Sequence, residues 1–71
     1  MEQIKVGTVI YDNGKFGLIT NIIQNGVLKE SQPVTFVKTY EIRYFDGLIA
    51  FLSEKQMQRL IDNGKIEVIA R

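Results

Sequence analysis

Glu41 and Asp46 are near in sequence and are a pair of carboxylates that could share acid–base work. Such catalysis needs two groups held together with their pKa values pushed apart. Asp46 precedes Gly47, however, and Asp-Gly is first of all a turn former. Glu54 falls in the first turn of an expected helix, where the helix dipole alone explains an acid. Glu67 alternates with Ile66 and Val68 and is expected to face water. Ser31 and Ser53 have no histidine to serve as base, because the chain contains none. It also has no cysteine, so neither a thiolate nucleophile nor a disulfide is available. No P-loop spacing, EF-hand loop or His/Cys cluster occurs. The expectation is a non-enzymatic protein with no cofactor and no metal site.

The aromatic residues offer recognition instead. Tyr11, Phe16, Phe36, Tyr40, Tyr44, Phe45 and Phe51 exceed the needs of a thin core. Between Tyr40 and Phe45, an extended strand puts Tyr40, Ile42 and Tyr44 on one face and Glu41, Arg43 and Phe45 on the other. One face must leave the interior. With the tyrosines outside, Tyr40, Ile42 and Tyr44 form a rigid amphipathic patch suited to protein contact. Flanked by Lys38 and Arg43, aromatic rings could instead stack bases. In the plainer alternative, the tyrosines cover a barrel and its helix. Nine basic residues face eight acidic ones, for a formal net charge of +1. That balance gives nucleic acid no general support, although Lys5, Lys15, Lys38 and Arg43 could form a local patch.

The elements that must position these residues follow from turn chemistry. Val6 to Tyr11 is rich in β-branched and aromatic residues, and Asn13-Gly14 supplies a type I′ turn signal. Lys15 to Ile23 returns as the second strand. Strict alternation puts Phe16, Leu18 and Ile22 on one face with Thr20, and Gly17, Ile19 and Ile23 on the other. Gly7 and Gly17 mark a bend or a close backbone approach. Gln24 to Gln32 reads as a long loop, with a tight turn at Asn25-Gly26 and with Val27 and Leu28 tucked onto the core. Pro33 favours an extended entry into Val34 to Phe45, which carries a bend near Lys38-Thr39. Asp46-Gly47 turns the chain into Leu48 to Leu52. Ser53 and Gln56 make a capping box, and Leu52 and Met57 stand where a hydrophobic staple forms. Met57, Leu60 and Ile61 line one helical face, and Gly64 is placed to end the helix. Ile66 to Ile69 adds a last short strand. The tetrapeptide Asp-Asn-Gly-Lys occurs at Asp12 to Lys15 and again at Asp62 to Lys65. It is read as a turn device in both places, with a shared metal or phosphate loop as the alternative.

Residues 1–71 are expected to form a single domain. A chain this short buries only about 60% of its extended surface. Hydrophobic residues make up 45% of it, as in globular proteins. Five to six antiparallel strands with one short helix before the last predict a small SH3-like barrel, mainly β, whose closure removes exposed edges. No signal-peptide pattern or membrane-length apolar run is found, so a cytoplasmic location without membrane partners is the expectation.

Gly7-Thr8-Val9-Ile10-Tyr11 and Lys15-Phe16-Gly17-Leu18-Ile19 resemble the opening hairpin of the cold-shock domain. The resemblance implies single-stranded nucleic-acid binding, with Tyr11 and Phe16 in the places of stacking aromatics. The same hairpin resembles that of KOW-like and other SH3-like barrels. In size and texture the whole chain is similar to small uncharacterised proteins of Gram-positive phages and prophages. The leading expectation is an adaptor or regulator acting by protein contact through Tyr40, Ile42 and Tyr44, with a homodimer as one form of that contact. The alternative is a nucleic-acid binder using Lys5, Tyr11, Lys15, Phe16, Lys38 and Arg43.

Overall fold

The computed structural model describes residues 4–27 and 35–70. Five strands and one helix follow in the order β1 (Val9–Asp12), β2 (Lys15–Val27), β3 (Thr35–Tyr44), β4 (Ile49–Ser53), α1 (Glu54–Asp62) and β5 (Ile66–Ala70). The strands form one antiparallel sheet in the order β4-β3-β2-β1-β5.

The first hairpin turns where expected. Asn13 and Gly14 both have positive φ, at 48° and 88°, as a type I′ turn requires. The strand before it is shorter than Val6 to Tyr11. Val6 and Gly7 are the centre of a turn, closed by the Thr8 N–H donating to the Lys5 carbonyl at 3.0 Å. The strand after it is longer. Asn25 and Gly26 do not turn but pair with Val37 and Phe36, so the β2–β3 ribbon outruns the other strands. The remainder of the expected loop, Leu28 to Gln32, lies outside the described residues. So do Pro33 and Val34 and, with Leu28, the expected tucking of Val27 and Leu28 onto the core. The β2–β3 ladder passes Lys38 and Thr39 without a break.

A bulge corrects the expected faces of β2. Ile19 pairs with Ile42 and Asn21 with Glu41, so Thr20 is the extra residue. Its hydroxyl donates to the Glu41 carboxylate at 2.7 Å. The extra residue reverses the alternation. Gly17 and Ile19 point inward before it, and Ile22 points inward after it, packed against the core rather than sharing a face with Phe16 and Leu18.

The helix begins as its residues specify. The Gln56 N–H donates to the Ser53 hydroxyl at 3.2 Å, and the Ser53 N–H donates back to Gln56 Oε1 at 2.9 Å. At the far end, Gly64 and Lys65 N–H groups return to the carbonyls of Ile61 and Leu60, which caps the last turn. Met57, Leu60 and Ile61 join Ile4, Ile10, Ile19, Tyr40, Ile42 and Ile66 in the core.

The sheet is not a barrel. β4 and β5 are both edges with no ladder between them, which overturns the SH3-like and KOW-like reading. The chain travels from β4 to β5 through α1, and α1 packs against β3, β4 and β5 together. A helix of nine residues is only about 14 Å long. For it to reach both edge strands, the sheet must bend around it. Closure was expected because it would hide the edges and complete the core. The helix covers the core instead, and among the described residues both edges stay open.

Candidate functional site

The exposure expected of the Tyr40–Ile42–Tyr44 stripe is not found. Tyr40 is 2% exposed and Ile42 fully buried, both within the core cluster. Tyr44 is half-buried, and its hydroxyl donates to Asp12 Oδ2 at 2.6 Å. Burial, that bond and the charges of Asp12 and Asp46 hold the Tyr44 phenol well above its ordinary pKa. Burial, then the charge of Glu54, raises that of Tyr40. These side chains hold β3 against the helix and β1, and a partner cannot reach the first two. β3 has two faces, and it is the opposite one that meets solvent.

That outer face gathers a different aromatic set. Tyr11 and Phe16 are direct cross-strand partners on β1 and β2. Their ring centroids are 5.0 Å apart in an edge-to-face arrangement. The Phe45 N–H donates to the Phe16 carbonyl at 3.0 Å, continuing the ladder past the end of β3. Its ring stacks on that of Phe16 at 6.5 Å. The three rings thus form a row across β1, β2 and the β3–β4 turn. Tyr11, Phe16 and Phe45 are 36%, 46% and 73% exposed. Further along the same face, Ile49 pairs with Arg43 and Phe51 with Glu41, and both apolar side chains are exposed.

The charges around the row are balanced. Lys15 Nζ lies 3.0 Å from Asp46 Oδ2. The Leu48 N–H, and then Lys15, hold the Asp46 carboxyl below its ordinary range. Glu67 stands opposite Tyr11 on β5. Arg43 Nε is 3.9 Å from Glu41 Oε2.

The structure therefore divides the residues expected to hold nucleic acid. It brings Tyr11 and Phe16 together and keeps Arg43 on their face, whereas Lys15, paired with Asp12, falls to the other side of β2 by alternation and reaches Asp46 at the sheet's end. Lys38 has the alternation of Tyr40 and belongs to the opposite face of β3. Lys5 sits in the turn before β1. Sequence reasoning left Phe45, Ile49 and Phe51 out of any site. The available signal was the alternation of β3 and β4, which puts all three on the side of Glu41 and Arg43.

The two Asp-Asn-Gly-Lys segments meet in space. Tyr11, Asp12, Asn13, Gly64, Lys65 and Glu67 line an open cleft of about 520 Å³. The segments do different jobs, one a hairpin turn and the other a helix end. Among the described residues, no three acids, histidines or cysteines gather as metal ligands would. Glu41 and Asp46 stay with separate partners, Thr20 and Arg43 for one and Lys15 for the other.

No family model, no curated protein and no solved structure matches this chain. The resemblance to phage and prophage proteins therefore draws no support from comparison, and the barrel it was joined to is overturned by the open sheet.

Proposed function

We propose that this chain is a non-enzymatic adaptor or regulatory module that binds protein through Tyr11, Phe16 and Phe45. The observation that carries this reading is the pre-packed row of three exposed rings. Rings already held by one another lose little freedom when a partner covers them. Aromatic anchors of this kind supply much of the energy of protein interfaces. Phe45 is 73% exposed, so most of the roughly 1.5–3 kcal/mol available from burying a phenylalanine is left for a partner to realise.

The charges favour protein over nucleic acid. A single-stranded polymer needs unneutralised lysine and arginine beside the rings. Here Lys15 is bonded to Asp46, Arg43 lies near Glu41, and Glu67 flanks Tyr11. A mixed rim of this kind suits a polypeptide surface.

Photo-crosslinking in cells tests the reading. A benzophenone side chain at position 45 is expected to trap discrete polypeptides. The same group at Lys55, exposed on the helix, serves as the control. Adducts that nuclease removes, or identical patterns from both positions, would overturn the reading. Titration with short single-stranded DNA and RNA at several salt concentrations adds a second check. A steep loss of affinity with salt would favour the nucleic-acid alternative.

A further inference from the structure

We infer that the free edge of β4 pairs with β4 of a second copy of this chain, antiparallel and centred on Ala50. The inference deepens the protein-contact reading by naming one partner, and it uses an edge of the sheet rather than the aromatic row.

Among the described residues the edge is open, and it is built for pairing. The Tyr44 N–H donates to the Leu48 carbonyl at 2.8 Å, and Ile42 and Tyr40 pair with Ala50 and Leu52. Ladder bonds alternate, so Leu48, Ala50 and Leu52 direct their backbone groups to β3. Ile49 and Phe51 direct theirs to the free edge, where no hydrogen bond among the described residues meets them. Sheet edges are ordinarily blunted by charge, proline or a bulge. β4 reads Ile-Ala-Phe-Leu-Ser, has none of these, and exposes Ile49 and Phe51 by half or more. β5, the other edge, carries Glu67 and a register irregularity against β1.

The register follows from bonds and charge together. Outward backbone groups must meet outward groups, so the twofold axis falls at Ile49, Ala50 or Phe51. Centred on Phe51, the strand would oppose Ile49 with Ser53, whose N–H is already given to Gln56. Centred on Ile49, it would oppose Phe51 with Gly47, whose N–H is already given to Tyr44. Centred on Ala50, it joins Ile49 to the second copy's Phe51 and Phe51 to its Ile49, so every outward donor and acceptor of both residues is used. The charges agree. Arg43 stands beside Ile49 and Glu41 beside Phe51. Centring on Ala50 therefore gives each row across the seam an arginine at one end and a glutamate at the other. The other two centres give arginine facing arginine, or glutamate facing glutamate. Side chains match as well. Ile49 meets Phe51 on the outer face, and Leu48, which is 54% exposed, meets Leu52 on the inner one.

Solution mass over a wide concentration range tests the pairing, with a rise from 8.1 kDa toward twice that value expected. N-methylation of the Phe51 amide in a synthetic chain leaves the β3 ladder intact and removes an outward donor. It is expected to raise the dimer dissociation constant about tenfold or more. Ala50→Cys tests the register. In a non-hydrogen-bonded pair the two Cα atoms lie about 4.5 Å apart, within disulfide range, so oxidation should give a covalent dimer. Phe51→Cys places its thiols on a diagonal of about 7–8 Å and should crosslink more slowly. A mass that stays at 8.1 kDa, a dimer indifferent to N-methylation, or faster crosslinking by Phe51→Cys each overturns the inference. If the mass stays monomeric while position 45 still traps other polypeptides, the second copy is refuted and the protein-contact reading stands. A dimer with no adducts specific to position 45 refutes the aromatic row instead.

Discussion

Gly17→Ala adds a single methyl group where β2 and β3 come closest. Gly17 pairs with Tyr44, and the inner face has no room between them. A Cβ there would lie 2.9 Å from Ile42 Cγ2, 3.0 Å from Tyr44 Cδ1 and 3.2 Å from Tyr44 Cε1. Neither neighbour yields easily. Ile42 is fully buried, and its branched Cβ restricts χ1. The Tyr44 ring is tethered at its far end by the 2.6 Å bond to Asp12. Overpacking of this kind costs about 1–3 kcal/mol. Replacing a strand glycine by alanine returns about 0.5–1 kcal/mol of that. The net loss is about 0–2.5 kcal/mol, equivalent to a fall in Tm of up to roughly 20 °C for a domain this size. Urea denaturation is the assay, with a lower midpoint and an unchanged slope expected. In a Tyr44→Ala background two of the three close contacts vanish, so the penalty should shrink. A higher midpoint for Gly17→Ala, or a penalty that does not shrink in the Tyr44→Ala background, would refute the packing of β2 on β3 described here.

The two faces of β3 should answer differently to truncation. Phe45→Ser is expected to shift stability by less than about 0.5 kcal/mol, whereas Ile42→Ala should cost about 2–5 kcal/mol by the same denaturation. Ser53→Ala removes one half of the capping box and should cost about 1 kcal/mol, seen as a lower urea midpoint. Alkaline pH should destabilise the fold through Tyr40 and Tyr44. Both phenols have raised pKa values in the folded chain, so above about pH 10 the unfolded chain releases protons that the fold retains. Stability is then complete below that pH and declines as pH rises further. Tyr44→Phe should flatten the decline in urea midpoints between pH 9 and pH 11, and an equal slope in both chains would remove Tyr44 from the cause.

The parts of the fold that depend on local chemistry were legible in the sequence. Asn13-Gly14 has one favourable use between two extended runs, and Ser53 with Gln56 announces a helix start whatever lies around it. Features that depend on distant strands were not. The bulge at Thr20 reverses the alternation of β2, and it is defined only by the pairing of Ile19 and Asn21 with β3. Asn25-Gly26 has the composition of a turn, but a long partner strand overrides it. Closure depended on whether β4 and β5 would meet, and the helix between them fills that place.

The site was half legible for a related reason. Tyr11 and Phe16 were named together only through the resemblance of the first hairpin to that of the cold-shock domain. On β3, the decisive signal was the charge of Glu41 and Arg43. Enclosing Arg43, whose side chain stays 58% exposed, in the core would cost far more than burying the hydroxyls of Tyr40 and Tyr44, and Glu41 on the same face is satisfied by the Thr20 hydroxyl, so Ile42 and its tyrosines go inside. β4 is apolar on both faces and gives no such contrast, which is why Ile49 and Phe51 escaped notice.

Which aromatic set faces water is the point on which the rest turns, and paramagnetic relaxation of ring protons by a soluble, uncharged gadolinium chelate measures it residue by residue. Phe45 and Phe16 should relax strongly, Tyr11 somewhat less, and Tyr40 least of all, with Tyr44 between. Relaxation of Tyr40 as strong as that of Phe45 would contradict the account.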